Sequence, residues 1–140
     1  MPTRQAPLCT LALTAALLLG ACTGDPVEIV NGPAYPAAVR QSSVIDVQVI
    51  RQGTTITMTN TSARAFTDAR LWANQWYSRS LPSWKPGETL SLELDDFLDR
   101  YGQPMRAGGF WAVDNPEKLV LMQVEEGDKL TGLVVIGQSE

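Results

Sequence analysis

From Val44 onward, apolar and polar residues alternate in short runs separated by Gly, Pro, Asn and Asp, the period-two signature of strands with one buried and one wet face. In residues 44–50, Ile45, Val47 and Val49 point one way and Asp46 and Gln48 the other. Arg51-Gln52-Gly53 makes a short loop, and residues 54–60 return with Ile56 and Met58 inward and Thr55, Thr57 and Thr59 outward, so a hairpin is predicted. Further strands are expected at 68–75, continued by 76–80, then at 89–94, 110–113, 118–125 and 130–136. In 89–94 the alternation is clean: Leu90, Leu92 and Leu94 against Thr89, Ser91 and Glu93. Residues 119–124 and 133–136 are apolar on both faces, as central strands are, and Glu126-Gly127-Asp128 supplies a turn that pairs them as a terminal hairpin.

Two stretches depart from this pattern. Residues 95–101 offer an N-cap at Asp95, acidic first-turn residues, apolar positions at Phe97, Leu98 and Tyr101, and a stop at Gly102, so one short helix is predicted there. Residues 23–43 hold Gly24, Pro26, Gly32, Pro33 and Pro36 without a sustained period and read as a tether, with a reach of about 60 Å if fully extended. One all-β domain is expected over 44–140, preceded by residues 22–43 as linker.

Ahead of the linker, Arg4 is followed by an uncharged run from Ala6 to Ala21, too short in its apolar part for the roughly 20 residues of a permanent membrane span. Leu19-Gly20-Ala21-Cys22 closes it and resembles the lipobox of bacterial lipoproteins. That resemblance implies a signal peptide over 1–21, cleavage after Ala21 and acylation of Cys22 as the first mature residue, while Cys9, behind the bulky Leu8, leaves with the signal. It implies the lipid bilayer as a partner, several acyl chains giving a stable anchor where one would not. Thr23, in the place where the family's inner-membrane retention signal is Asp, implies outer-membrane sorting if the bacterium has one.

Loss of Arg4 leaves ten Lys and Arg against fifteen Asp and Glu, with no histidine. An acidic domain without a basic stripe is a poor match for a phosphate backbone, so nucleic acid is not expected as a partner. A single acylated cysteine forms no internal disulfide, and core packing alone has to hold the domain.

Residues 56–62, ending in Asn60-Thr61-Ser62, and Lys85-Pro86-Gly87-Glu88 ahead of Leu90-Ser91-Leu92 resemble bacterial immunoglobulin-like or fibronectin-III-like domains. The resemblance implies an antiparallel sandwich of seven or eight strands, a closed barrel being the structural rival.

No catalytic constellation stands out. Asp95, Asp96 and Asp99 lack the spacing of a calcium loop, and helix capping accounts for two of the three, so no metal is expected. Asp114, Glu117, Glu125, Glu126 and Asp128 sit at turns, and nothing selects a glycosidase pair among them. Without histidine, and without Ser-x-x-Lys or Gly-x-Ser-x-Gly, nucleophilic catalysis has no base. Gly108-Gly109 is not a phosphate loop and marks a bulge or strand start. A non-enzyme without cofactor beyond the lipid on Cys22 is expected.

Aromatic residues carry the remaining signal. Trp72 and Trp76 share a face if their strand is unbroken, and with Trp111 on a neighbour they would form a ligand platform in which Asn74 and Arg70 supply hydrogen bonds. Burial of Trp72 would instead make it architectural, and Trp84 between Pro82 and Pro86 is expected to cap the core edge. Residues 44–50, opening the domain, are the expected edge strand for a partner, guarded by Arg51 and the linker. The resulting expectation is a lipid-anchored envelope module that binds another envelope protein, or a glycan through the tryptophan face.

Overall fold

The computed structural model describes residues 32–139. Ala21, Cys22 and the remainder of the signal and early linker lie outside the described residues. Seven strands follow in order: β1 (Gln41–Gln52), β2 (Thr55–Thr59), β3 (Phe66–Ala73), β4 (Tyr77–Trp84), β5 (Thr89–Glu93), β6 (Met122–Glu126) and β7 (Lys129–Ser139). They form one sheet in the order β4-β3-β6-β7-β1-β2-β5. All-β is therefore correct, but the strands join one sheet rather than the two facing sheets of the expected sandwich.

The antiparallel expectation is corrected at the centre. The predicted hairpins β1–β2 and β6–β7 form, while β1 and β7 lie parallel, with Val49 opposite Val135 and Ile50 opposite Ile136. Once β6 has paired with β3, the free side of β7 is left for β1, and this register turns Val47, Val49, Leu133 and Val135 toward the same core. Within residues 44–50, Val49 and Ile50 are flanked by both β2 and β7 and so are no edge, while Val44 and Gln48 pair with β7 alone.

The sheet curls into a half-barrel because its two ends are drawn together. After β5, a single 3-10 turn at Leu94–Asp96 carries the chain across, and Leu98 bridges Ser78 on β4 through paired backbone bonds of 2.8 and 3.0 Å. The expected helix over 95–101 is corrected to this turn. Phe97 must enter the core, and the backbone continues as a tight hairpin in which Met105 N–H donates to Phe97 O and Asp99 N–H to Gln103 O. Asp99 caps that hairpin, its Oδ1 accepting from the N–H groups of Tyr101 and Gln103.

Inside the curl lie Ile56, Met58, Leu71, Met122 and Val124, plugged from the open side by Leu94, Phe97, Met105 and Leu119. Phe66 and Trp84 stack at 5.6 Å, and Trp84 is fully buried with its Nε1 donating to Glu88 O, so it fills the core rather than capping its edge. Asn60 is buried too, its Nδ2 donating to Arg64 O and Trp84 O.

Two strand boundaries moved for side-chain reasons. The run expected from 68 to 80 is broken by a turn with Asn74 and Gln75 both at positive φ, which makes β3 and β4 a hairpin. The strand expected from 118 starts at Met122, because Asn74 occupies the preceding backbone: Nδ2 donates to Lys118 O at 2.7 Å and Oδ1 accepts from Val120 N–H at 2.9 Å. Residues 110–113 are no strand; they sit in a loop between Gly108 and Pro116.

Residues 32–40 lie on the sheet, and 41–43 open β1. Tyr35 packs edge-on against Trp72 at 5.3 Å, donates to Gln123 Oε1 and accepts from Gln75 Nε2. From Gly32, whose backbone lies against Asp99 and Arg100, this strap crosses the convex face and then turns into β1 at the opposite end.

Candidate interaction surfaces

The strand directions define two ends. One carries the β1–β2 and β3–β4 turns together with residues 94–121, and the other carries loop 60–65, turn 85–88 and turn 126–129. The exposed aromatic residues gather at the first. Phe110 is 90% exposed, Trp111 87% and Val113 99%, with Phe110 and Trp111 in edge contact at 4.8 Å. Trp76, in the β3–β4 turn, lines a depression with Tyr77, Glu117 and Lys118, and the last two continue into the hollow under loop 108–116.

The loop that presents Phe110 and Trp111 is tied at its base. Glu117 N–H donates to Arg106 O at 2.8 Å, and the Arg106 and Glu117 side chains pair at 3.0 Å. Gly108, at φ +90, lies so close to Pro116 that a Cβ would stand 2.9 Å from the proline Cβ, so only glycine lets the two legs meet. Arg51 reaches across from β1: Nη2 donates to Ala107 O at 2.7 Å, Nη1 to Glu117 O, and Nε to Gly53 O at 2.9 Å. Burial pushes its guanidinium below the ordinary arginine range. It is a brace inside the molecule and not the exposed guard of an edge.

Beneath the same loop, the Tyr77 phenol is pushed up to about 12, first by burial and then by the adjacent Glu117 carboxylate. A group whose folded pKa lies above its unfolded value near 10 stabilises fully below that value and loses the contribution as pH rises toward 12. Tyr77→Phe is therefore expected to flatten part of the fall in urea midpoint between pH 10 and 12, the wild-type chain serving as reference.

The expected tryptophan platform is not assembled. Trp72 is 1% exposed beneath Tyr35, with Nε1 donating to Glu125 Oε2 at 2.6 Å. The turn at Asn74-Gln75 breaks the parity that would have aligned it with Trp76. Asn74 is spent on the backbone of 118–120, and Arg70, half-buried on the convex face, donates to Ser78 Oγ at 3.4 Å. Trp76 and Trp111 do fall at one end of the molecule. What sequence reading missed was Phe110, Val113 and Arg51. Four consecutive apolar residues between Gly108-Gly109 and Asp114-Asn115-Pro116 were the available sign of an exposed loop tip.

Of the carboxylates flagged for chemistry, Asp96, Asp99, Glu117, Glu125 and Glu126 are bonded within the fold. Glu126 accepts from Thr67 N–H at 3.0 Å and from Arg64 at 2.6 Å, and these contacts, the backbone bond foremost, hold it below the usual carboxylate range. Asp96 pairs with Arg79. Among the described residues, no group of three or more acidic, cysteine or histidine side chains converges as metal ligands would.

The two sheet edges differ. β4 is covered at Ser78 by Leu98 and carries Pro82, which has no N–H to offer a further strand. β5 has only β2 as neighbour, and its bonds through Glu88 O and Leu94 N–H set the phase so that the N–H and C=O groups of Thr89, Ser91 and Glu93 face outward. β5 carries neither proline nor lysine, and Glu93 at its end is its one charged residue, so its outward groups at Thr89 and Ser91 stay open.

Comparison of the chain with protein-family models, with curated proteins and with solved structures finds no match in any of the three.

Proposed function

We propose that the chain is a lipid-anchored, non-catalytic module of the bacterial cell envelope that captures a partner protein by strand addition along β5. The observation that carries this reading is the open β5 edge, whose outward backbone groups match those of an extended peptide. The motif Leu19-Gly20-Ala21-Cys22 supports the anchor. The structural use of Glu125, Glu126, Asp99 and Glu117 supports a role in binding rather than catalysis.

The test is a photo-crosslinking amino acid at Ser91 in the full chain, expressed in cells. A discrete protein adduct is expected at Ser91 and not at exposed Asp128 in the β6–β7 turn, away from β5 in the sheet order. Ser91→Pro removes an outward N–H without breaking the β2–β5 ladder. It is expected to abolish capture while lowering stability by no more than about 1 kcal/mol. Equal crosslinking at both positions, or capture that survives Ser91→Pro, would overturn strand addition; absence of fatty acid on Cys22 would overturn the anchor.

A further inference from the structure

We propose that the aromatic end of the half-barrel rests in the interfacial layer of the same bilayer that the anchor enters, with Phe110, Trp111 and Val113 as the inserted side chains and Trp76 beside them. The inference rests on the lipid at Cys22 and adds what the far side of the module does with it.

Three observations converge. First, the chain leaves the described domain at the aromatic end. Gly32 lies against Asp99 and Arg100, next to the Leu98–Ser78 bridge at the start of β4, and Tyr35 is bonded to Gln75 in the turn that holds Trp76. Cys22 precedes Gly32 by ten residues, which span at most about 35 Å in any conformation. The strap over the convex face keeps this attachment point from migrating to the other end, which a 12-residue β1 places about 40 Å away.

Second, the tip has the composition of an interfacial anchor. Residues 107–116 include one formal charge, Asp114, and their Phe, Trp and Val side chains are almost wholly exposed. Tryptophan favours the headgroup level, where its ring is half apolar and its N–H stays wet. A loop with free backbone groups stops at that level, since hydrocarbon leaves such groups unsatisfied, so insertion is shallow. Third, the opposite end carries Arg64, Lys85, Glu88, Asp128 and Lys129 and is built for water. Exposed large apolar side chains thus gather at one end, where the charges of Asp95, Asp96, Arg100 and Arg106 stand outside the 107–116 tip, and β5 runs between the two ends with its edge open sideways.

A bilayer is favoured over a protein for this tip because the tether brings the tip to the lipid whether or not any partner is present. The test uses the full acylated chain reconstituted into phosphatidylcholine vesicles, with and without bromine in the upper acyl chain, and reads tryptophan emission. Bromolipid is expected to quench a component that Trp111→Phe largely removes and Trp84→Phe leaves. Phe110→Ser combined with Val113→Ser, both on exposed side chains, is expected to weaken the quench while the melting temperature stays unchanged. Vesicle flotation in the same sample separates the two ideas. A chain that floats yet shows no bromolipid quenching of Trp111 overturns interfacial docking while leaving the anchor intact; a chain that does not float overturns the anchored reading itself. A photo-crosslinker at Trp111 that yields a protein adduct in cells, and no lipid adduct, also overturns the proposal in favour of a protein contact.

Discussion

Arg51→Met should lower the unfolding free energy by about 3 kcal/mol and free the loop that carries Phe110 and Trp111. The guanidinium gives hydrogen bonds to Ala107 O and Glu117 O on the two legs of that loop and to Gly53 O in its own hairpin. Charge-assisted bonds of this kind are each worth about 1.5–3 kcal/mol, and methionine keeps the apolar stem while leaving the carbonyls unmet. Urea unfolding gives the stability change. Hydrogen exchange gives its location: the amide of Glu117, which bonds to Arg106 O, should lose protection before those of β3 or β6. A variant as stable as wild type, with Glu117 still protected, would show that the loop holds itself closed without the brace.

Trp72→Ala is the second large effect, expected at about 3–5 kcal/mol, a sizeable share of the whole stability of a domain this size. The indole is buried, stacked edge-on by Tyr35 and bonded to Glu125, so truncation leaves a void, an unpaired carboxylate and a strap with nothing beneath it. The strap should loosen in proportion, read as increased tryptic cleavage after Arg40, since the Tyr35–Pro36 bond resists proteolysis. An exposed platform tryptophan behaves differently: truncation there costs less than about 1 kcal/mol, the usual range for surface changes. A loss of that small size would mean the indole is not buried.

These two residues show where the sequence could be read and where it could not. Val47, Val49, Ile56, Met58, Leu90 and Leu92 face the core as their alternation implies, because parity along a strand is a local property. Burial of Trp72 was one of two readings the sequence left open, and alternation alone could not choose between them. The Trp72 side of β3 is the convex face, which alternation assigns to solvent, and the indole is buried only because Tyr35, nearly forty residues earlier, crosses over it. Arg51 was illegible for a related reason. It continues the inward phase of Val47 and Val49, yet a charged residue beside Gly53 reads as a loop until the carbonyls that surround it are known. The helix expected at 95–101 failed on competition: its capping signals are present, but Leu98 gains an edge pairing with Ser78 and Phe97 a core position that a helix would deny them.

By itself the sequence determined the strand content, the inward set of most strands, the two local hairpins and the motif around Cys22, all of which depend on neighbours within a few residues. Only the tertiary structure decided that β1 lies parallel to β7, that β5 is the open edge, and that the start of the described chain and the exposed Phe110-Trp111 pair share one end. Those features are set by pairings between residues dozens of positions apart. Alternation along one strand says which side chains it buries and carries no information about which strand lies beside it.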